Sequence, residues 1–119
     1  MKYLSSNVTI MVSDMKKAIA FYRDTLGLNL VREYGQEWAE MEGPGSLKIG
    51  LHPGGKVPLQ PQSRQVSIGL QVEDLDAAMK SLAAKGVRFG ETPTDRGLRL
   101  AYFGDLDGNP LYLCEVKWG

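Results

Sequence analysis

His52, Glu40 and Cys114 are the side chains in this chain best suited to acid–base or metal chemistry. His52 is its only histidine and Cys114 its only cysteine. An imidazole titrates near neutrality, so His52 beside Glu40 or Tyr112 would form a general acid–base pair. The same imidazole, joined by Glu40 or Cys114, would begin a divalent-metal site. Cys114 has no charge nearby in sequence to lower its thiol pKa and reads as a buried structural cysteine. Trp38, Tyr102 and Tyr112 offer another chemistry, since aromatic walls hold planar or apolar molecules by stacking. They could equally plug a cavity or form a dimer contact. Gly43-Pro44-Gly45 and Gly54-Gly55 lack the strand and helix context of a phosphate loop and read as turns.

An internal repeat defines the scaffold around these residues. Asn7-Val8-Thr9-Ile10-Met11-Val12-Ser13-Asp14 recurs about sixty residues later as Ser67-Ile68-Gly69-Leu70-Gln71-Val72-Glu73-Asp74. In the first copy Val8, Ile10 and Val12 alternate as a strand, and Asp14 caps a helix with the apolar stripe Met15, Ala18, Ile19, Tyr22 and Leu26. Gly27 ends that helix. Strands are predicted at Leu28 to Tyr34, Glu37 to Met41 and Leu47 to Leu51. The second copy predicts a strand at Val66 to Val72, an Asp74 cap and a helix stripe of Leu75, Ala78, Met79 and Leu82. Three more strands are predicted, at Val87 to Phe89, Leu98 to Phe103 and Leu111 to Val116. Module 1 covers about residues 1–52, a Pro/Gly/Gln-rich linker 53–64, and module 2 about 65–119, within a single domain.

Burial then sorts the strand faces. Val8, Ile10, Val12, Ile68, Leu70 and Val72 must face the helices. The opposite faces carry Asn7, Thr9, Met11, Ser67, Gly69 and Gln71. Lys48, Gly50 and His52 share those faces with Trp38, Glu40, Leu100, Tyr102, Tyr112 and Cys114. If the sheets curl, these side chains line a concavity of apolar wall and few polar groups, the usual form of a small-molecule site. Period 2 turns Glu115 to the other face, as a solvated or salt-bridged residue.

Composition excludes several classes. The 119 residues are one domain's worth, and 43% are hydrophobic. Lys+Arg and Asp+Glu are both 14, so no basic surface points to nucleic acid. A lone cysteine fits a reducing compartment and no apolar run is long enough to span a membrane. The strand pattern starts close to residue 1, so no leader is expected and the predicted location is cytoplasmic.

Asn7-Val-Thr-Ile-Met-Val-Ser-Asp14, followed by Ala18-Ile-Ala-Phe-Tyr-Arg-Asp-Thr-Leu-Gly-Leu28, resembles the opening of the vicinal oxygen chelate superfamily of glyoxalases, extradiol dioxygenases and bleomycin- or fosfomycin-resistance proteins. Phe103-Gly-Asp-Leu-Asp-Gly-Asn-Pro-Leu-Tyr-Leu113 is similar to its closing turn and last strand. The resemblance implies an α+β fold of two tandem βαβββ modules forming a cupped, partly closed mixed sheet, commonly in a homodimer. In metal-using members a His opens a module's first strand, seven residues before the helix-starting Asp, and a ligand, often Glu, lies mid-way along the last strand. Those positions here are Asn7, Ser67, Gly50 and Tyr112, none of them a usual ligand. No metal or other cofactor is therefore expected, and a relocated metal would have to be built on His52.

The resulting expectation is a metal-free protein binding an aromatic or apolar small molecule, with Met11, Trp38, Tyr102 and Tyr112 as wall. Asn7, Glu40, His52, Ser67 and Gln71 would orient polar groups. The rivals are a lyase, isomerase or dioxygenase-like enzyme using a relocated metal or His52, and a dimeric interaction protein whose cup is filled by its own side chains.

Overall fold

Alternation in the first strand does what its pattern predicts. In β1 (Val8–Val12) Ile10 and Val12 are buried while Thr9 and Met11 are exposed. The structure, a computed structural model, describes residues 2, 4, 6–54, 67–95 and 97–117. The chain divides into two compact units, Met1–Pro58 and Leu59–Gly119.

In the first unit the Asp14 carboxylate accepts the Lys17 N–H at 3.0 Å and starts α1 (Met15–Ala20). Such a cap contributes about 1 kcal/mol. The helix then widens into a π-type turn over Phe21–Thr25, where the Leu26 N–H donates to the Phe21 carbonyl at 3.0 Å. Phe21 and Tyr22 in this turn are both buried, with edge-on rings 5.6 Å apart, and Leu26 after it is only half-buried. This corrects the unbroken 3.6-residue stripe, which holds only as far as Tyr22. Gly27, at φ +81°, then turns the chain into β2 (Asn29–Tyr34). β3 (Trp38–Glu42) and β4 (Lys48–Pro53) complete a sheet ordered β1-β4-β3-β2, with β1 parallel to β4 and the other pairs antiparallel. β4 continues through Pro53, the first residue assigned to the linker. Residues 55–64 of that linker, and Val66 at the expected start of the next strand, lie outside the described residues. Ala39, Met41, Ile49 and Leu51 are fully buried, with α1 packed against β4, each large side chain worth roughly 1.5–3 kcal/mol of transfer free energy.

The second unit repeats the plan with β5 (Ile68–Gln71), α2 (Leu75–Ala84), β6 (Thr94–Asp95), β7 (Leu98–Gly104) and β8 (Pro110–Val116), ordered β5-β8-β7-β6. Each unit is thus a βαβββ module, and the α+β expectation stands. Asp74 caps α2 by accepting the Ala77 N–H at 3.0 Å. A second acceptor arrives from the sheet: Glu115 on β8, only 4% exposed, accepts the Leu75 N–H at 3.0 Å. Arg99 and Lys117 stand 3.6 Å from the Glu115 carboxylate, and Arg99 also grips Asp76 with two hydrogen bonds, the shorter 2.9 Å. Glu115 therefore points away from Tyr112, as period 2 requires, but is buried as the tie between α2 and its sheet.

Two expectations for this unit are corrected. Leu75 is buried, but Ala78, Met79 and Leu82 are only half-buried. Val87 to Phe89 is not a strand. Val87 is buried and Phe89 packs on Phe103 at 5.4 Å, yet the hydrogen bonds to β7 begin only at Gly90, whose N–H donates to the Tyr102 carbonyl. Glu91 accepts from Tyr102 N–H in turn, and Pro93, with no N–H to give, only accepts from Leu100. A regular ladder therefore starts at Thr94. Among the described residues no helix is long and apolar enough to cross a membrane.

Candidate functional site

Each sheet has one face away from its helix, and on each an aromatic ring lies across a glycine. In the first unit Thr9 pairs with Gly50, Gly50 with Glu40 and Glu40 with Arg32, forming one row across four strands. Met11 sits opposite His52. The half-buried Trp38 folds over this row, and a Cβ added to Gly50 would collide with its indole at Cη2, Cζ2 and Cζ3. Gly50 has no positive φ, so space rather than backbone conformation requires the glycine. The Trp38 and His52 rings are 6.5 Å apart and tilted by 67°.

The polar groups on this face are already partly committed. Glu40 receives Arg32 at 3.2 Å. A hydrogen bond involving Tyr34, and then the charge of Glu40, raise the Arg32 pKa, so the guanidinium stays charged. His52 uses Nδ1 on the Pro53 carbonyl, 2.8 Å away. Asn7 precedes β1, is exposed, and donates from its amide to Thr9 Oγ1 at 2.9 Å.

In the second unit Tyr112 pairs with both Gly69 and Tyr102 across β5, β8 and β7. Its ring occupies the space where a Gly69 side chain would stand. Tyr102 and Tyr112 are 5.9 Å apart with a 59° tilt. Gln71 and Leu100 flank Cys114 in the next register, and burial pushes the Cys114 thiol pKa up. Ser67 lies one residue before β5 and is half-buried; Gln71 is exposed. Tyr102 also borders an open depression of about 250 Å³ between Arg88 and the Gly104–Gly108 turn.

The structure therefore gathers Met11, Trp38, Glu40 and His52 on the sheet face of the first unit, and Gln71, Tyr102 and Tyr112 on that of the second. It does not bring Asn7 into the first group's ladder. Thr9, Arg32 and Gly69 belong to these faces as well. Thr9 and Gly69 follow from alternation, whereas Arg32 depends on a β2–β3 register that shifts between Leu30 and Arg32.

The four positions where the family resemblance implies metal ligands carry no usual donors for a divalent ion here. Gly50 has no side chain and its space belongs to Trp38, while the Tyr112 ring fills the space a Gly69 side chain would take. Asn7 and Ser67 offer only an amide and a hydroxyl. Among the described residues no three His, Cys, Asp or Glu side chains converge.

The sequence profile described as "Glyoxalase/Bleomycin resistance protein/Dioxygenase superfamily" matches residues 5–113. The YwkD protein of Bacillus subtilis is 31% identical, with 92% of this chain and 94% of that protein covered. Two solved structures share the fold. TnmS3, an antibiotic-binding protein from Streptomyces, has a TM-score of 0.73 at 22% identity, covering 98% of this chain and all of its own. FosX, a fosfomycin-resistance protein from Listeria monocytogenes, has a TM-score of 0.79 at 21% identity, covering 98% and 96%.

Proposed function

The chain belongs to the glyoxalase/bleomycin-resistance/dioxygenase superfamily, and we propose that it is a member that binds an aromatic or apolar small molecule without using a metal ion. One observation carries the reading: aromatic rings stand over glycines on the sheet faces where the family resemblance implies ligands in metal-using members. Trp38 over Gly50 and Tyr112 over Gly69 replace coordination by flat apolar wall. Met11, 41% exposed, extends the first unit's wall, and Tyr102 extends the second unit's. Such surfaces favour planar ligands, each good aromatic contact adding about 0.5–1.5 kcal/mol beyond burial. TnmS3, which binds an antibiotic, supports this direction. FosX has been crystallised, as a mutant, with Mn(II) and a dihydroxypropylphosphonic acid, and its fold likeness supports the enzymatic alternative less well, because the four positions here lack donors.

Homodimeric assembly belongs to the same proposal and is tested by light scattering, which should give twice the chain mass. The binding itself is tested by a thermal-shift screen of aromatic metabolites and antibiotics against wild type, Trp38→Ala and Tyr112→Ala. A ligand present at 100 times its Kd stabilises the folded state by about 2.7 kcal/mol. At least one aromatic class should raise the wild-type midpoint and lose that effect in a variant. Midpoints unmoved by every class would count against the reading.

A further inference from the structure

We infer that His52 is the hydrogen-bond acceptor of the first unit's face, and that the ligand is an aromatic molecule carrying a neutral donor, a phenol or a ring N–H. The inference rests on the binding role proposed above and names its ligand class. A carbonyl oxygen only accepts, so the 2.8 Å contact from Nδ1 to the Pro53 carbonyl requires the proton on Nδ1. In the neutral ring that leaves Nε2 with its lone pair free.

Among the described residues nothing uses that lone pair, since His52 makes no hydrogen bond with them other than the one to Pro53. Every fully buried side-chain nitrogen or oxygen among them has a partner. Nε2, with no partner among the described residues, is therefore within reach of solvent, on a half-buried ring beside the Trp38 indole and across from Met11. An apolar wall with one fixed acceptor selects a flat ligand that donates. Glu40 is the competing acceptor on this face, but Arg32 already engages its carboxylate at 3.2 Å. The Pro53 contact fixes the direction of the ring's free edge, which a flexible carboxylate does not achieve.

The test uses 2-naphthol and 2-methoxynaphthalene, which share a ring system but differ in the donor. Calorimetric titration should show the wild type preferring 2-naphthol by roughly tenfold, the net worth of one hydrogen bond. His52→Phe should bind both alike, and Glu40→Gln should keep the preference. A long-range ¹H–¹⁵N spectrum of the wild type provides a readout independent of any variant's folding, and a single histidine leaves no ambiguity of assignment. It should show a protonated Nδ1 and a bare Nε2 whose resonance moves with 2-naphthol and not with the ether. A proton on Nε2 in the neutral ring overturns the inference. So does equal wild-type binding, or a preference that survives His52→Phe, and either leaves aromatic binding itself intact. Failure of both probes to bind removes the wall reading and this inference with it.

Discussion

Replacing Gly50 by alanine tests whether Trp38 is held where the structure places it. The new Cβ would stand 2.8 Å from Cζ3 of the indole and closer still to Cη2 and Cζ2, against an ordinary carbon–carbon separation of about 3.5–4.0 Å. The ring must lift or swing off the sheet. A tryptophan buries about 150–250 Å², and losing half of that at about 25 cal/mol per Å² costs about 2–3 kcal/mol. Alanine returns about 0.5–1 kcal/mol through the reduced freedom of the unfolded chain, leaving a net loss of about 1–2.5 kcal/mol. The assay is urea unfolding followed by fluorescence, with Trp118, the second tryptophan, replaced by Phe so that emission reports Trp38. Gly50→Ala should lower the midpoint and shift folded-state emission to the red. In a Trp38→Leu background the same substitution should cost almost nothing. An unchanged midpoint and emission, or an equal cost in both backgrounds, would refute the packing of Trp38 on Gly50.

The other expectations concern the second unit. Glu115→Ala strands the Leu75 N–H and should cost about 1–3 kcal/mol, seen as a thermal midpoint lower by roughly 5–10 °C; Glu115→Gln, which can still accept, should cost less. Arg99 holds the Asp76 carboxyl below its ordinary pKa, first by hydrogen bonding and then by charge. Stability from this pair is therefore complete above the ordinary carboxylate range and lost as pH falls below it. Asp76→Asn should flatten that acid limb of the stability curve and leave its alkaline side unchanged. Burial raises the Cys114 thiol pKa, so a disulfide reagent at neutral pH should modify it several-fold more slowly in the folded protein than in denaturant. Equal rates would show a thiol in free contact with water.

Much of the scaffold was legible because it is written locally. Asp14 and Asp74 cap their helices through carboxylates three residues from the N–H they accept, and Gly27 takes positive φ where the first helix ends. Alternation in β1 separates Ile10 from Met11 without any knowledge of the neighbouring strand. What escaped is decided between strands. The indole of Trp38 belongs over Gly50 only once β3 is set beside β4, and Glu115 becomes a helix tie only when β8 meets the start of α2. The widened turn at Phe21–Thr25, which carries the buried Phe21 and Tyr22, is not anticipated by a 3.6-residue period. Of the side chains expected to bind, the two sheet faces were recovered from alternation. The free edge of His52 was not, since it depends on a single contact to the Pro53 carbonyl.

Whether binding proceeds without a metal is decided by the affinity for 2-naphthol before and after exhaustive treatment with EDTA, with metal content determined on the same samples. A metal-free site predicts far less than one metal ion per chain and the same Kd in both states, undisturbed by added Mn(II) or Zn(II). A stoichiometric ion whose removal abolishes binding, and whose retention depends on His52, would contradict it.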